Sequence, residues 1–402
     1  MNRLMPWLIA GLVLRLVLSA FVYHPDIRGY NLGAYLISQK HQLFTFYDYL
    51  SQLPPSHQLV RLYHADLFIY PPLAFLVPAA FMSVLSPLYP WQLFQQFIFG
   101  LHTISSIWDT AGLFLLLKLP LLVADLLALY VLRKLLPDKA RFVGSLLWLF
   151  NPITLYATYM ISQFDIYLAL LTLMALYSAS TNNNLASSIY IGLAAGFKPF
   201  PLFFLPFLPG KKIVNLAVGL VTYLLVILPY LPSPAFRAYA LFAPQTSKLQ
   251  YAKIPISETQ FLPLFVVGIG LLLWFQHTRR FNLSLPAWLT AVLLLFYSLS
   301  HFHPQWMVWI SPLLVISFAT LPRLRLQIIA FLGLYFSLVL FFEPSLNFGL
   351  FGLDFSLATF FDKYKLTDTL VSGLRGLFAA TSIMLFITLL RPGPDHAQTT
   401  KK

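Results

Sequence analysis

Cysteine is absent from all 402 residues, which excludes a disulfide framework, a thiolate nucleophile and any Cys-ligated metal centre. Charge is almost as scarce. Asp, Glu, Lys and Arg together make up 10% of the chain against 59% hydrophobic residues, too little to cover a soluble domain with charged surface. Acids are scarcest, 13 against 26 basic residues, for a net charge of +13. In a soluble protein that excess would point to nucleic acid, but base stacking needs aromatics set in a basic groove. Here Phe, Tyr and Trp are spread through apolar segments instead, so no nucleic-acid partner is expected. A Gly-rich phosphate loop, a Walker lysine, a Ser-His-Asp set and an HExxH run are also missing, which removes a soluble nucleotide-binding domain. Neither an internal repeat nor a low-complexity tract interrupts the chain.

What remains is a series of apolar runs broken by Pro, Gly or short charged stretches. An all-α integral membrane protein is expected, a multi-spanning helical bundle of about 11 to 12 transmembrane helices at roughly 20 residues per crossing, fewer where neighbouring protein covers the ends. Helices are expected near residues 6–23, 111–132, 142–160, 165–180, 185–197, 200–209, 212–231, 261–276, 285–300, 304–320, 325–342 and 370–390. Residues 6–22 are followed by bulky side chains rather than an A-x-A-like site, so the first helix reads as retained rather than as a signal peptide. Residues 1–402 form one membrane domain in this reading. Its parts are a first outer loop at 23–110 that carries interfacial helices, the remaining bundle at 111–390, and a cytoplasmic tail at 391–402.

Orientation follows from basic residues in short loops. Arg3, the cluster Arg133, Lys134, Lys139 and Arg141, the pairs Lys211-Lys212, Arg279-Arg280 and Arg323/Arg325, and the tail Arg391, Lys401 and Lys402 are all assigned to the cytoplasm, accompanied only by Asp138 and Asp395. This requires that residues 70–90 do not cross. Their prolines and the polar approach His64-Ala65-Asp66 suit an interfacial or re-entrant element, and the Tyr-rich 30–50 stretch suits a membrane-lying helix. The unusual polar residues then collect on the extracytoplasmic side: His24, Asp26, Arg28, Gln163, Asp165, Lys198, His301 and His303.

Each of these has a plain structural reading beside a chemical one. Asp26, in Tyr23-His24-Pro25-Asp26-Ile27-Arg28-Gly29-Tyr30, is either a solvated helix cap or the base that takes an acceptor proton during an inverting transfer from a lipid phosphate. Arg28 beside it can stabilise a leaving phosphate or hold Asp26 ionised. Asp165, in Ser162-Gln163-Phe164-Asp165, can cap the next helix, or with Gln163 it can hydrogen-bond sugar hydroxyls. Lys198 sits at a proline-broken junction, where an intramembrane cation marks a ligand path and suits a phosphate; the alternative is snorkelling to headgroups. His301 and His303 open a helix whose N–H groups favour an anion, and they lack a matching pair of further ligands for zinc. Lys118 and Asp125 share one face of the 111–132 segment; Asp125 and Arg15 read as internal structural contacts.

In order along the chain, Asp26 with Tyr30 behind it, Tyr70-Pro71-Pro72-Leu73, Val123-Ala124-Asp125-Leu126-Leu127, Asn151-Pro152, Gln163-Phe164-Asp165, Lys198-Pro199, and His303 ahead of Trp309 and Pro312 resemble the GT-C superfamily of membrane glycosyltransferases. The likeness is to its dolichyl- and polyprenyl-phosphate-sugar-dependent members, mannosyltransferases among them. It implies a GT-C-type bundle and an inverting transfer of one hexose, mannose by default, from a polyprenyl-phosphate-linked donor to a lipid-linked or glycan acceptor outside the cytoplasm. Asp26 falls on the family's general base. Lys198 and His303, with His301 competing, fall on donor-phosphate contacts, and Gln163 with Asp165 on the acceptor side; Arg28 and Tyr30 complete the substrate-binding set. The D-x-D of the GPI enzymes is replaced by Asp26-Ile27-Arg28, so no cofactor is expected; a divalent metal is possible but not indicated. The rival readings are a transporter or flippase of lipid-linked sugars, for which a midplane site between repeated halves would be expected, and a polymerase or ligase with a pyrophosphate-lipid donor. The ligase reading asks for more arginine than the 232–260 loop offers with Arg237, Lys248 and Lys253.

Overall fold

Prolines and polar breaks cut the apolar runs into helices that are mostly shorter than a bilayer is thick. The computed structural model describes residues 3–64, 66–100, 107–281 and 283–390; the expected tail at 391–402, with its basic residues and Asp395, lies outside them. The described chain is nearly all-α, the exception being a hairpin that pairs Lys253–Pro255 with Phe261–Pro263, which the apolar pattern did not announce.

Among the described residues, four helices are long and apolar enough to cross a membrane: Thr110–Leu135, Lys212–Tyr230, Pro322–Val339 and Thr367–Leu390. A fifth is obtained if Met5–Phe21 and Asp26–Gln39, bent by 85° at their junction, are counted as one span. Six further apolar helices have 10–17 residues. At 1.5 Å per residue these reach about 15–25 Å, short of a hydrocarbon core of about 30 Å, and this is where the expected dozen crossings and the helices of the structure part. Three expected helices are broken rather than continuous. The 142–160 segment ends as an α-helix at Leu149 and restarts at Pro152, the 200–209 segment is a 3-10 helix at Phe200–Phe207, and the 304–320 segment is a 3-10 turn at Pro304–Trp309 followed by Ser311–Thr320. Prolines 152, 201, 206, 304 and 312 each lack the N–H that a continuous α-helix needs. The 70–90 stretch yields Leu73–Val84 with Pro78 inside it, about 18 Å long and too short to cross.

The chain divides into two compact units. The first comprises Met1–Leu135, Ser145–Thr246 and Gln305–Trp309. In it Ile107–Leu135 packs on Met5–Phe21 and Ile166–Ser180, Asp26–Gln39 lies on Leu73–Val84, and Ile166–Ser180, Asn184–Ala195 and Lys212–Ile227 pack in chain order. Pro120 inside Ile107–Leu135 leaves the Leu116 carbonyl without its helical donor, and the Tyr89 hydroxyl supplies one at 3.4 Å. The second unit comprises Leu136–Gly144, Ser247–Pro304 and Ile310–Lys402. There Leu285–Leu299 and Arg325–Val339 both pack on Thr367–Leu390, and Leu264–His277 packs on Leu285–Leu299.

Small residues set a close helix approach in the first unit. A Cβ on Gly192 would come within 2.5 Å of the Gly219 carbonyl oxygen and 2.6 Å of Thr222 Cβ, so the two backbones meet where only hydrogen fits. Gly192→Leu is expected to cost at least about 1–3 kcal/mol by overpacking, read as a lowered Tm of the detergent-purified protein. Gly270→Leu, where an added Cβ meets nothing within 4 Å, is the matched control and leaves Tm unchanged.

Candidate functional site

Two chain breaks present the polar residues of the first unit. The Met5–Phe21 helix stops when Val22 turns extended, and the chain re-enters a helix at Asp26. Asn151 caps the second break, its Oδ1 accepting from the N–H groups of Ile153 and Thr154 at 3.0 and 3.2 Å. A π-helix then runs from Leu155 to Met160, and just beyond it Ser162 holds a left-handed φ of 64°. Wide turns and left-handed non-glycine residues are strained devices that concentrate at functional sites. Here they turn Gln163 toward Asp26, and Gln163 Nε2 donates to Asp26 Oδ2. Tyr30 ties the same two segments together, its hydroxyl donating to the Ser162 carbonyl at 2.7 Å. It is therefore committed to backbone and acts by positioning.

Asp26 itself is the accessible acid. Its side chain is 39% exposed, whereas that of Asp165 is 0% exposed. The His24 ring lies beside it, with Nδ1 3.3 Å from the Asp26 backbone N–H and 3.5 Å from Oδ1. A Nδ1 that accepts from the N–H cannot also donate to the carboxylate, so the ion pair forms only when the ring carries both protons. Arg28 does not reach Asp26. Its guanidinium lies over the rings of Tyr23 and Phe97, 5.3 Å from each centroid, and no ion pair joins it to Asp26 among the described residues. Residues two apart in a first helical turn point to different faces, which accounts for the lack of direct contact between Arg28 and Asp26. Burial pushes the Tyr23 hydroxyl up to about 12, against the opposing pull of Arg28.

Asp165 and Lys198 form a closed buried pair. Lys198 Nζ donates to both carboxylate oxygens at 2.6 and 2.8 Å, and Trp309 Nε1 donates to Oδ1 at 2.6 Å. The Asp165 side chain makes no capping bond to its helix, so the cap reading of Asp165 gives way to an ion pair. Around the ammonium stand four rings, Tyr70, Phe164, Trp306 and Trp309, with centroids at 5.2, 5.0, 5.7 and 5.6 Å. Cation–π attraction of this kind offsets part of the desolvation cost of a buried charge. Trp309 stacks on Trp306 and Phe200. Trp309→Phe keeps those stacks and removes one bond to a carboxylate, so a loss of about 1.5–3 kcal/mol is expected, read as a shift in the denaturation midpoint.

Tyr70 lies within electrostatic reach of both acids. Burial first, then the charges of Asp26 and Asp165, raise its pKa well above the ordinary phenol value, so its hydroxyl stays protonated and can donate. Four buried atoms nearby in sequence, Thr158 Oγ1, Ser162 Oγ, Gln163 Oε1 and Tyr167 Oη, have no hydrogen-bond partner among the described residues. Buried polar atoms are nearly always satisfied by protein, water or ligand, so this segment offers unused donors and acceptors. The sequence motif Tyr70-Pro71-Pro72-Leu73 carried part of the likeness without a site role for Tyr70, and Trp306 had none either; the Trp306-x-x-Trp309 spacing was the signal available for it.

His301 and His303 belong to the second unit. His303 Nε2 contacts Lys248 Nζ, the His301 ring lies 5.4 Å from that of Tyr251, and Arg375 donates to the Ser300 carbonyl at 3.3 Å while covering Phe302. Burial first, then the charges of Arg375 and Lys248, lower His301 below the ordinary imidazole value. The shift favours the neutral ring. Among the described residues no group of three or more His, Asp or Glu gathers where a metal could bind.

No protein-family model, curated protein or solved structure matches this chain, so the functional reading rests on the residues and their geometry.

Proposed function

We propose that this chain is a GT-C-type membrane glycosyltransferase that moves one hexose, with mannose as the first candidate, from a polyprenyl-phosphate donor to a lipid-linked or glycan acceptor on the extracytoplasmic side. The observation that carries the reading is the contrast between two neighbouring acids. Asp165 has its oxygens engaged by Lys198 and Trp309, while Asp26 is oriented by Gln163 and remains open. A general base must be oriented and must also reach its substrate, and Asp26 meets both conditions.

In the proposed step, an acceptor hydroxyl gives its proton to Asp26 and its oxygen forms a bond to the anomeric carbon. The bond from that carbon to the phosphate oxygen breaks, and polyprenyl phosphate departs with the electron pair. The unpaired buried atoms of Thr158, Ser162, Gln163 and Tyr167 suit a polyhydroxylated ligand, and Trp306 beside Lys198 offers an apolar face to a sugar ring. Lys198, which the family likeness assigns to donor phosphate, is engaged by Asp165, and its part in the proposal is to fix that wall of the site.

Transfer from radiolabelled polyprenyl-phosphate mannose to total membrane lipid tests the proposal, with purified wild-type protein beside Asp26→Asn. A labelled lipid made only by the wild type supports it. Equal product from both proteins removes Asp26 as the base. If instead the labelled donor crosses a sealed vesicle without being consumed, the chain is a transporter of lipid-linked sugars.

A further inference from the structure

Lys118 is a buried ammonium with no carboxylate partner. It sits on the Ile107–Leu135 helix with a relative exposure of 1%, and no ion pair of the described residues includes it. Its Nζ donates instead to two backbone carbonyls, Val22 O at 2.6 Å and Tyr159 O at 2.8 Å, with the Phe114 ring centroid at 5.8 Å.

Both carbonyls are left over from chain breaks. Val22 follows the end of the Met5–Phe21 helix. The N–H that would return to it in a continuing helix, that of Asp26, points to His24 Nδ1. Tyr159 lies in the last turn of the π-helix, and the N–H of Gln163 goes back to Ala157 O rather than to Tyr159. No backbone N–H of the described residues donates to either oxygen. Carbonyls orphaned at helix ends need a donor when buried, and one ammonium with three protons can serve two of them at once. Val22 precedes Asp26 by four residues, and Tyr159 precedes Gln163 by four.

We infer that Lys118 is a positioning residue that clamps the exit of the first helix to the end of the π-helix and so sets the spacing between Asp26 and Gln163. Its role in transfer rests on the glycosyltransferase reading, but the spacing itself does not.

The natural absence of cysteine allows a direct measurement. Asp26→Cys and Gln163→Cys are combined in the full chain, and their linkage by a short bis-methanethiosulfonate is followed with and without Lys118→Met, which keeps length and removes the charge. A control pair, Ala175→Cys with Ser187→Cys, spans the contact between Ile166–Ser180 and Asn184–Ala195, where Ser187 Oγ donates to Ala175 O. Lys118→Met is expected to slow the first linkage at least about tenfold, as loss of hydrogen bonds from a charged donor implies, and to leave the control unchanged. Lys118→Arg, which keeps several donors, recovers most of the rate. In the otherwise native chain, Lys118→Met lowers kcat for transfer and leaves KM for the donor unchanged. An unchanged rate at the Asp26/Gln163 pair overturns the inference. An equal slowing of both pairs, or a protein too unstable to purify beside a sound Lys118→Arg that links no faster, also overturns it, because the lysine then serves general stability. A chain that transfers no sugar but shows the selective slowing retracts the catalytic reading and leaves the clamp.

Discussion

Asp26→Asn is expected to lower sugar transfer by about 10²–10⁴-fold, the range over which a positioned general base contributes, with Tm and elution volume unchanged. The substitution is nearly isosteric. Gln163 Nε2 still finds a carbonyl oxygen at position 26, so the pairing that orients the side chain survives while the basicity is lost. Exposure strengthens the expectation, because a side chain that is 39% exposed leaves no deeply buried charge behind when neutralised. Initial rates at saturating donor, for wild type and variant in the same detergent, are the measurement. Wild-type-like rates would falsify the assignment of the base.

The second large effect is on stability. Asp125 accepts from Arg15 Nε at 2.6 Å, from Tyr159 Oη at 2.6 Å and from Trp148 Nε1 at 2.7 Å, and Arg15 also donates to the carbonyls of Gly11, Trp148 and Leu149. Both charged side chains are 1% exposed. Removing one partner strands the other charge in an apolar interior, so Arg15→Met or Asp125→Leu alone is expected to cost about 3–5 kcal/mol. The double variant Arg15→Met/Asp125→Leu removes both charges, and its stability is expected to return most of the way to wild type, because a paired buried charge contributes little beyond what well-packed apolar residues supply. Denaturation midpoints of the four proteins measure the coupling. A double variant as unstable as the sum of its parts would mean that the carbonyls left by Arg15 matter more than the charge.

Much of this network was legible before any coordinates. Arg15 and Asp125 are single charges inside apolar runs, and such residues are expected to be paired internally; here they pair with each other. Helix positions were legible for the same reason, since an apolar run bounded by Pro, Gly or charge has few alternatives. Partners across the chain were not. Nothing in the spelling Gly196-Phe197-Lys198-Pro199 says that Lys198 meets a carboxylate at position 165 rather than a ligand, because that choice depends on a contact 33 residues away. Arg28 makes no ion pair with Asp26 for a local reason. Adjacency in the written motif suggested contact with Asp26, whereas helical geometry sends residues two apart in different directions. Lys118 escaped assignment because its partners are main-chain oxygens, which carry no signature in the sequence.

A π-turn holds one residue more than an α-turn closed over the same rise, and at 3.6 residues per turn each residue rotates the chain by about 100°. Deleting any one residue between Leu155 and Met160 would let the segment close as ordinary helix and swing Gln163 and Asp165 away from Asp26 and Lys198. The site is thus specified by the count of residues as well as by their kind. Among descendants of this chain the stretch from Asn151 to Asp165 should tolerate changes of spelling far more readily than changes of length.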